Sequence, residues 1–357
     1  MTSEHKKNVV RTDLWLDGAF EARFATETDI AVATIASHGA DGQGWDLLRR
    51  AHAFNISSAK DELPQRLFAN RALLERCPNL LIVSAAGAGY DTVNVADCTA
   101  AGVAVVNQAG ANADSVAEMA LGLLLDVARR ISECNRRLRS ETGFSRESVM
   151  GREIKGKTIG IIGLGETGSR VARLARAFGM QVLAFDPLLS AETIAARGAE
   201  AVAFNDLLAR ADVVSLHCPR NQDTMKLMNA NTYAQMRRGA ILISTARGGI
   251  HDEAALAAAI QSSHLAGAGL DVWEAEPPPL DHALLQLPNV IATFHTAGVT
   301  SEARRNVAAW AAEQIVGVLK GECPPRLINP EVWPAYAARF ERSFGFAPAA
   351  STTKPSV

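Results

Sequence analysis

With 357 residues the chain exceeds the size at which one hydrophobic core usually keeps growing, so two domains are expected. Thirty-six Lys and Arg against 38 Asp and Glu give a formal charge of −2 with no dense basic tract, which argues against nucleic acid as a partner. The first residues lead into no apolar segment, no apolar run approaches the ~18 residues of a membrane span, and five cysteines (Cys77, Cys98, Cys134, Cys218, Cys323) lack metal-ligand spacing, so a cytoplasmic protein with reduced thiols, no membrane contact and no metal is expected.

From about residue 29 to 110 short apolar runs alternate with helical patterns, beginning at Ile30–Ile35 and continuing through Leu80–Val83 and Val103–Val106. That rhythm predicts a small α/β unit on a parallel sheet. Residues 113–133 then place Val116, Met119, Leu123 and Leu124 at helical spacing, which predicts one long helix. Six further strands follow at Thr158–Ile162, Gln181–Phe185, Val213–His217, Ala240–Ser244, Leu265–Leu270 and Val290–Phe294, enough for a complete doubly wound sheet. Beyond His295 the pattern turns helical at Ser301–Leu319 and is expected to rejoin the first unit. The resulting division is 1–112 with 299–335, an intervening domain at 113–298, and a tail at 336–357 whose Ala, Ser, Thr and Pro content predicts a loose end.

The densest signal is Gly163-Leu164-Gly165-Glu166-Thr167-Gly168, directly behind one predicted strand and directly ahead of a helix. Its glycines permit a tight turn, close approach of backbone to a pyrophosphate, and close helix–strand packing. Asp186, 18 residues beyond Gly168 at the tip of the next strand, is placed to accept from the adenosine ribose hydroxyls and to repel a 2′-phosphate, which favours NAD over NADP. Three later strand ends deliver Arg247, then Asp271 and Glu276, then His295. A guanidinium to hold a substrate carboxylate, an imidazole to exchange a proton with a carbonyl oxygen, and a carboxylate to orient that imidazole are the parts needed to reduce a 2-oxo acid. His5, His38, His52, His251, His264 and His282 have no such company and are assigned no chemistry.

These residues resemble the D-isomer-specific 2-hydroxyacid dehydrogenases over roughly residues 60 to 330. Ser84–Asp91 (SAAGAGYD) looks like the family's substrate loop, Ser115–Glu118 (SVAE) its interdomain helix, and Val214–Pro219 (VSLHCP) its nucleotide-side strand. Thr245–Gly249 (TARGG), Gly269–Pro277 (GLDVWEAEP) and His295–Gly298 (HTAG) match the catalytic segments. The resemblance implies a Rossmann NAD-binding lobe inserted into a flavodoxin-like substrate lobe, and a homodimer built largely on the nucleotide lobe. It makes Arg247, Glu276 and His295 the catalytic triplet, with the substrate held by the amides of Ala88 and Gly89 together with Arg247 and His295. Asp271 would hold the nicotinamide carboxamide, and the cofactor set implied is Ser115, Gly163, Gly165, Glu166, Thr167, Gly168, Asp186, His217, Cys218, Pro219, Thr224, Thr245, Ala246, Asp271, His295 and Gly298.

Several positions depart from the family pattern: Ser244 stands where Asn is common, Ala109 where Pro is common, and Phe294 where a Pro normally precedes the catalytic His. Phosphoglycerate dehydrogenases commonly carry an Arg near the position of Ala85, and Ala85-Ala86 offer no charge for a phosphate, which favours an unphosphorylated acid. Formate dehydrogenases of the superfamily carry Gln in place of Glu276. The alternatives are a dinucleotide-sensing binding protein, because corepressors related to the family keep the fold and the triplet, and a D-3-phosphoglycerate dehydrogenase.

Overall fold

The computed structural model of the chain describes residues 7–38 and 42–349. Its elements divide into two units, Met1–Asn112 with Thr300–Val357, and Ala113–Val299. The first unit holds β1 (Lys7–Thr12), α1 (Gly18–Phe24), β2 (Ile30–Ile35), α2 (Gly42–Arg49), β3 (Ala53–Ser57), α3 (Arg71–Arg76), β4 (Ile82–Ala86), α4 (Val95–Ala100) and β5 (Ala104–Val106). All its pairings are parallel and the order is β2-β1-β3-β4-β5, the flavodoxin-like winding.

Two of these strands escaped the periodicity argument. In β1 the sequence KNVVRT shows only two adjacent apolar residues, yet the strand is buried because its cations have partners. Lys7 pairs with Asp29 at 2.7 Å, and the Arg11 guanidinium lies 4.8 Å from the Phe20 ring while meeting Glu21 at 2.9 Å. β3 is five residues long with Asn55 at its centre, too short to stand out.

The second unit opens with α5 (Ala113–Arg129) and α6 (Ile131–Ser140), followed by β6 (Thr158–Ile162), α7 (Glu166–Ala177), β7 (Gln181–Phe185), α8 (Ala191–Ala196) and β8 (Glu200–Ala201). It continues through α9 (Phe204–Arg210), β9 (Val213–Leu216), α10 (Ala230–Gln235), β10 (Ala240–Ser244), α11 (Glu253–Gln261), β11 (Leu265–Leu270) and β12 (Val290–Ala292). Its seven parallel strands run β12-β11-β10-β9-β6-β7-β8, so the order reverses at β6, where a ligand crevice is expected in a doubly wound sheet. α5 lies close on this sheet because β11 carries glycine: a Cβ on Gly269 would stand 2.7 Å from the Leu123 Cβ. The single helix expected over 113–133 is broken at Arg130, which adopts φ +55°, while the Asp126 carboxylate accepts from the Ser132 N–H at 2.7 Å and starts α6 afresh.

The chain returns to the first unit through α12 (Ser301–Leu319) and then α13 (Trp333–Phe344). The expectation of a loose segment from 336 onward is corrected by α13. Trp333, Tyr336 and Phe340 fall on one face and are buried, and the Tyr336 hydroxyl donates to the Val318 carbonyl at 2.7 Å. Averaged composition hid three aromatics at helical spacing. Residues 350–357 lie outside the described residues. Among the described residues no helix is long and apolar enough to cross a membrane.

Candidate active site

The glycine loop leaves β6 and turns into α7 with the geometry its spacing requires. Gly163 has φ +86°, and a Cβ there would lie 2.7 Å from the Cys218 nitrogen. A Cβ on Gly168 would meet the Gly163 carbonyl oxygen at 2.1 Å, so helix and loop approach closely only because both are glycine. Gly165, at the N-cap of α7, opens instead onto free space, and the first-turn amides of Glu166, Thr167 and Gly168 follow it as a cradle for an anion. The Glu166 carboxylate is drawn back along the helix by Arg170 at 2.8 Å, and Arg170 also meets Asp114, beside Ser115 in the first turn of α5, at 3.0 Å.

Asp186 sits where β7 ends. Its carboxylate accepts from the Leu164 N–H at 2.8 Å and the Leu188 N–H at 3.0 Å, which ties it to the glycine loop and leaves lone pairs for a ribose.

The adjacent strand ends present polar atoms that no protein group satisfies. Among the described residues His217 Nδ1, Ser244 Oγ and Thr245 Oγ1 are buried without a hydrogen-bond partner, and β9 and β10 bring Leu216 and Ser244 into register. His217 Nε2 lies 2.8 Å from Ser215 Oγ, and burial pushes the imidazole down to about 4, so the ring is neutral near pH 7. Burial also pushes the Cys218 thiol up to about 11, which keeps it protonated. Buried orphan atoms cost free energy unless a ligand or water meets them, so this cluster fits the polar edge of a bound dinucleotide. Thr224 differs: its hydroxyl donates to the Pro219 carbonyl at 2.7 Å and closes a turn.

The three residues singled out at the strand ends converge. His295 Nδ1 lies 2.9 Å from Glu276 Oε2, and the other Glu276 oxygen accepts from the Trp273 N–H at 3.0 Å. Burial pushes the Glu276 carboxyl upward, but the His295 hydrogen bond and charge, the Trp273 N–H and the Arg247 charge outweigh it, so the carboxyl ends below its usual range and remains ionised. Arg247 follows β10, with its guanidinium donating to the Ala246 carbonyl at 2.7 Å. Because the Nδ1–H donates to Glu276, His295 Nε2 is the atom left to exchange a proton with a ligand.

His295 itself has φ +46°, a conformation that costs a non-glycine residue about 1–2 kcal/mol. What holds it is Asp271. The Asp271 carbonyl accepts from the His295 N–H at 2.7 Å, and its fully buried carboxylate accepts from the N–H groups of Thr296 (2.8 Å) and Ala297 (2.9 Å) and the Thr293 hydroxyl (2.6 Å). Both oxygens of Asp271 thus serve the loop that carries His295, Oδ1 through Thr293 and Thr296 and Oδ2 through Ala297. Of the two threonines flanking His295, Thr293 joins this clamp through its hydroxyl and Thr296 chiefly through its backbone N–H. Phe294, in place of the usual Pro, is exposed and leaves the His295–Glu276 contact intact.

In the other unit, Ala88 and Gly89 follow the carboxyl end of β4. The Ala88 carbonyl accepts from Asn107 at 2.7 Å and the Gly87 carbonyl from the Gln108 N–H at 2.8 Å, which pins the loop. Ala85 is fully buried within β4, so no charged group stands at that position.

Comparison with known proteins adds three findings. Residues 121–297 match the model of the D-isomer specific 2-hydroxyacid dehydrogenase, NAD binding domain. A D-3-phosphoglycerate dehydrogenase of Archaeoglobus fulgidus is 41% identical over 264 residues, covering 74% of this chain and 50% of the relative, and a glyoxylate reductase of Korarchaeum cryptofilum is 37% identical over 263 residues, covering 73% and 79%. The chain spans about half the length of the phosphoglycerate dehydrogenases it matches. Among solved structures, the D-lactate dehydrogenase of Aquifex aeolicus complexed with NAD and lactic acid superposes with a TM-score of 0.76 at 25% identity, covering 90% of this chain and 99% of that one.

Proposed function

Since the chain belongs to the D-isomer-specific 2-hydroxyacid dehydrogenase family, we propose that it reduces a small, unphosphorylated 2-oxo acid to the D-2-hydroxy acid, and runs the reverse reaction, with NAD(H) as cofactor. The observation that carries this reading is the 2.9 Å contact of His295 with Glu276 under the charge of Arg247, in the unit that holds the glycine loop. When bound, NADH supplies the hydride that reaches C2 of the acid. Arg247 binds the substrate carboxylate and polarises the ketone. His295, oriented through Nδ1 by Glu276, gives a proton from Nε2 to the carbonyl oxygen. Oxidation reverses the proton's path.

The uncharged, buried Ala85 supports an unphosphorylated substrate over 3-phosphohydroxypyruvate. The test is NADH oxidation with a panel of 2-oxo acids that includes glyoxylate, hydroxypyruvate and pyruvate alongside the phosphorylated acid. Rapid turnover with an unphosphorylated member is expected. Preference for the phosphorylated acid would overturn the substrate assignment, and absence of turnover with every member would favour a dinucleotide-sensing protein.

Asp186 sets the cofactor. Its anchored carboxylate should favour NADH over NADPH by one to two orders of magnitude in kcat/KM, about 1.4 to 2.8 kcal/mol. Equal kcat/KM with both cofactors would remove Asp186 from that role.

A homodimer is part of the same reading. No residue of α6 is buried, and its Ile131 and Leu138, seven positions apart, stand 53% and 76% exposed, which makes this helix the face to test. Leu138→Asp is expected to convert a dimer into monomers by sedimentation or light scattering. A parent protein that already sediments as a monomer would refute the dimer.

A further inference from the structure

The segment that carries Glu276 runs from the end of β11 to a 3-10 turn at Ala283–Gln286 without a helix or strand of its own. A catalytic carboxylate on an irregular loop must be held by something other than a backbone ladder. Glu253 and His282, neither of which the sequence marks for chemistry, hold it. Glu253, the first residue of α11, is 7% exposed; one oxygen accepts from the Glu274 N–H at 2.6 Å and the other faces His282 Nε2 at 2.9 Å. His282 Nδ1 accepts from the Leu284 N–H at 3.3 Å, which places the lone pair on Nδ1 and the donating proton on Nε2. The imidazole meets the Trp273 ring edge-on at 5.6 Å between centroids.

These contacts meet on either side of Trp273, at two successive peptide links. The Trp273 N–H donates to Glu276, the N–H of the following residue, Glu274, donates to Glu253, and the Trp273 carbonyl lies so near Gly248, the neighbour of Arg247, that a Cβ there would come within 1.7 Å of its oxygen. We propose that Glu253 and His282 form a second Glu–His pair whose task is to fix the Trp273–Glu274 peptide, making both residues positioning residues for the Glu276–His295 couple. The proposal rests on the reading of that couple as the acid/base. Other charged or titratable groups around Glu253 are Glu274, Asp252, Lys226 and Tyr233; burial raises its carboxyl despite the Glu274 N–H and His282.

The test compares His282→Gln, whose amide nitrogen can take the place of Nε2 and donate to Glu253, with His282→Asn, whose shorter side chain cannot reach. His282→Gln should stay within about threefold of the parent in kcat, while His282→Asn loses about ten- to a hundredfold with the NADH dissociation constant within about twofold. The pH profile of reduction in His282→Asn should move to lower pH, because Glu276 no longer meets Nδ1 squarely. Should the Asn variant not fold, Glu253→Asp, which withdraws the carboxylate by one methylene, carries the same comparison. Equal kcat in the two His282 variants, or a loss seen only in thermal melting, would overturn the proposal. Glu276→Gln, measured alongside, separates the two readings: if its profile does not move, the acid/base reading fails, and if it moves while that of His282→Asn does not, only the positioning pair fails.

Discussion

Arg247→Lys is expected to lower kcat/KM for the oxo acid by about a hundredfold, close to 2.7 kcal/mol, with KM raised and kcat lowered together. The charge survives the change, but the planar fork that can meet a carboxylate through two parallel N–H bonds does not. Lysine's three donors also sit on one nitrogen, so they cannot reproduce the spacing between Nη1, which holds the Ala246 carbonyl at 2.7 Å, and the other guanidinium nitrogens that would face a substrate. NADH binding, read by fluorescence titration, should stay within about twofold, because the glycine loop and Asp186 proposed to hold the dinucleotide are tied to each other and not to Arg247. Intact turnover in the Lys variant would mean that the carboxylate is held elsewhere, with the amides near Gly89 the next place to look.

How far the site was legible in the sequence depends on the kind of constraint each residue answers. Gly163 and Gly168 are legible because a side chain at either would collide with backbone, and that restriction is local. Arg247, Glu276 and His295 are legible because each follows the end of an apolar strand, and a parallel sheet gathers such ends on one edge. The clamp on His295 is hidden. Asp271 and Thr296 are 25 positions apart, and an Asp that follows a strand looks the same whether it faces a cofactor or a loop. The Glu253–His282 pair spans 29 positions and is hidden for the same reason. In the fold, β1 is masked because Lys7 and Arg11 are buried only by virtue of Asp29, Phe20 and Glu21. α13 is masked because three well-spaced aromatics are diluted by a polar, Ala-rich end.

Glu276→Gln is expected to separate the two directions of the reaction by pH. The Glu276 carboxyl lies below its usual range, so it is ionised throughout the working range and its charge bears on the bonded imidazole at every assay pH. A group with a depressed folded value contributes stability that is present above its unfolded value and lost only as pH falls through the depressed one. The Glu276–His295 contact is therefore intact at neutral pH in the parent, and any shift in the variant reflects the missing charge. Gln still accepts from Nδ1 through its amide oxygen, so geometry is kept while the Coulombic contribution is deleted. Reduction needs the imidazolium and oxidation the neutral ring, so both limbs should move to lower pH by about one unit or more, the size expected for loss of an opposite charge in hydrogen-bond contact. At pH 7 reduction should fall by up to about tenfold for each pH unit by which its limb moves and recover on acidification, while oxidation keeps its rate to lower pH than in the parent. The measurement is kcat/KM against pH in both directions for parent and variant. Unmoved midpoints in both directions would show that the Glu276 charge does not govern the group that titrates during turnover, and the acid/base reading of the Glu276–His295 couple would fail.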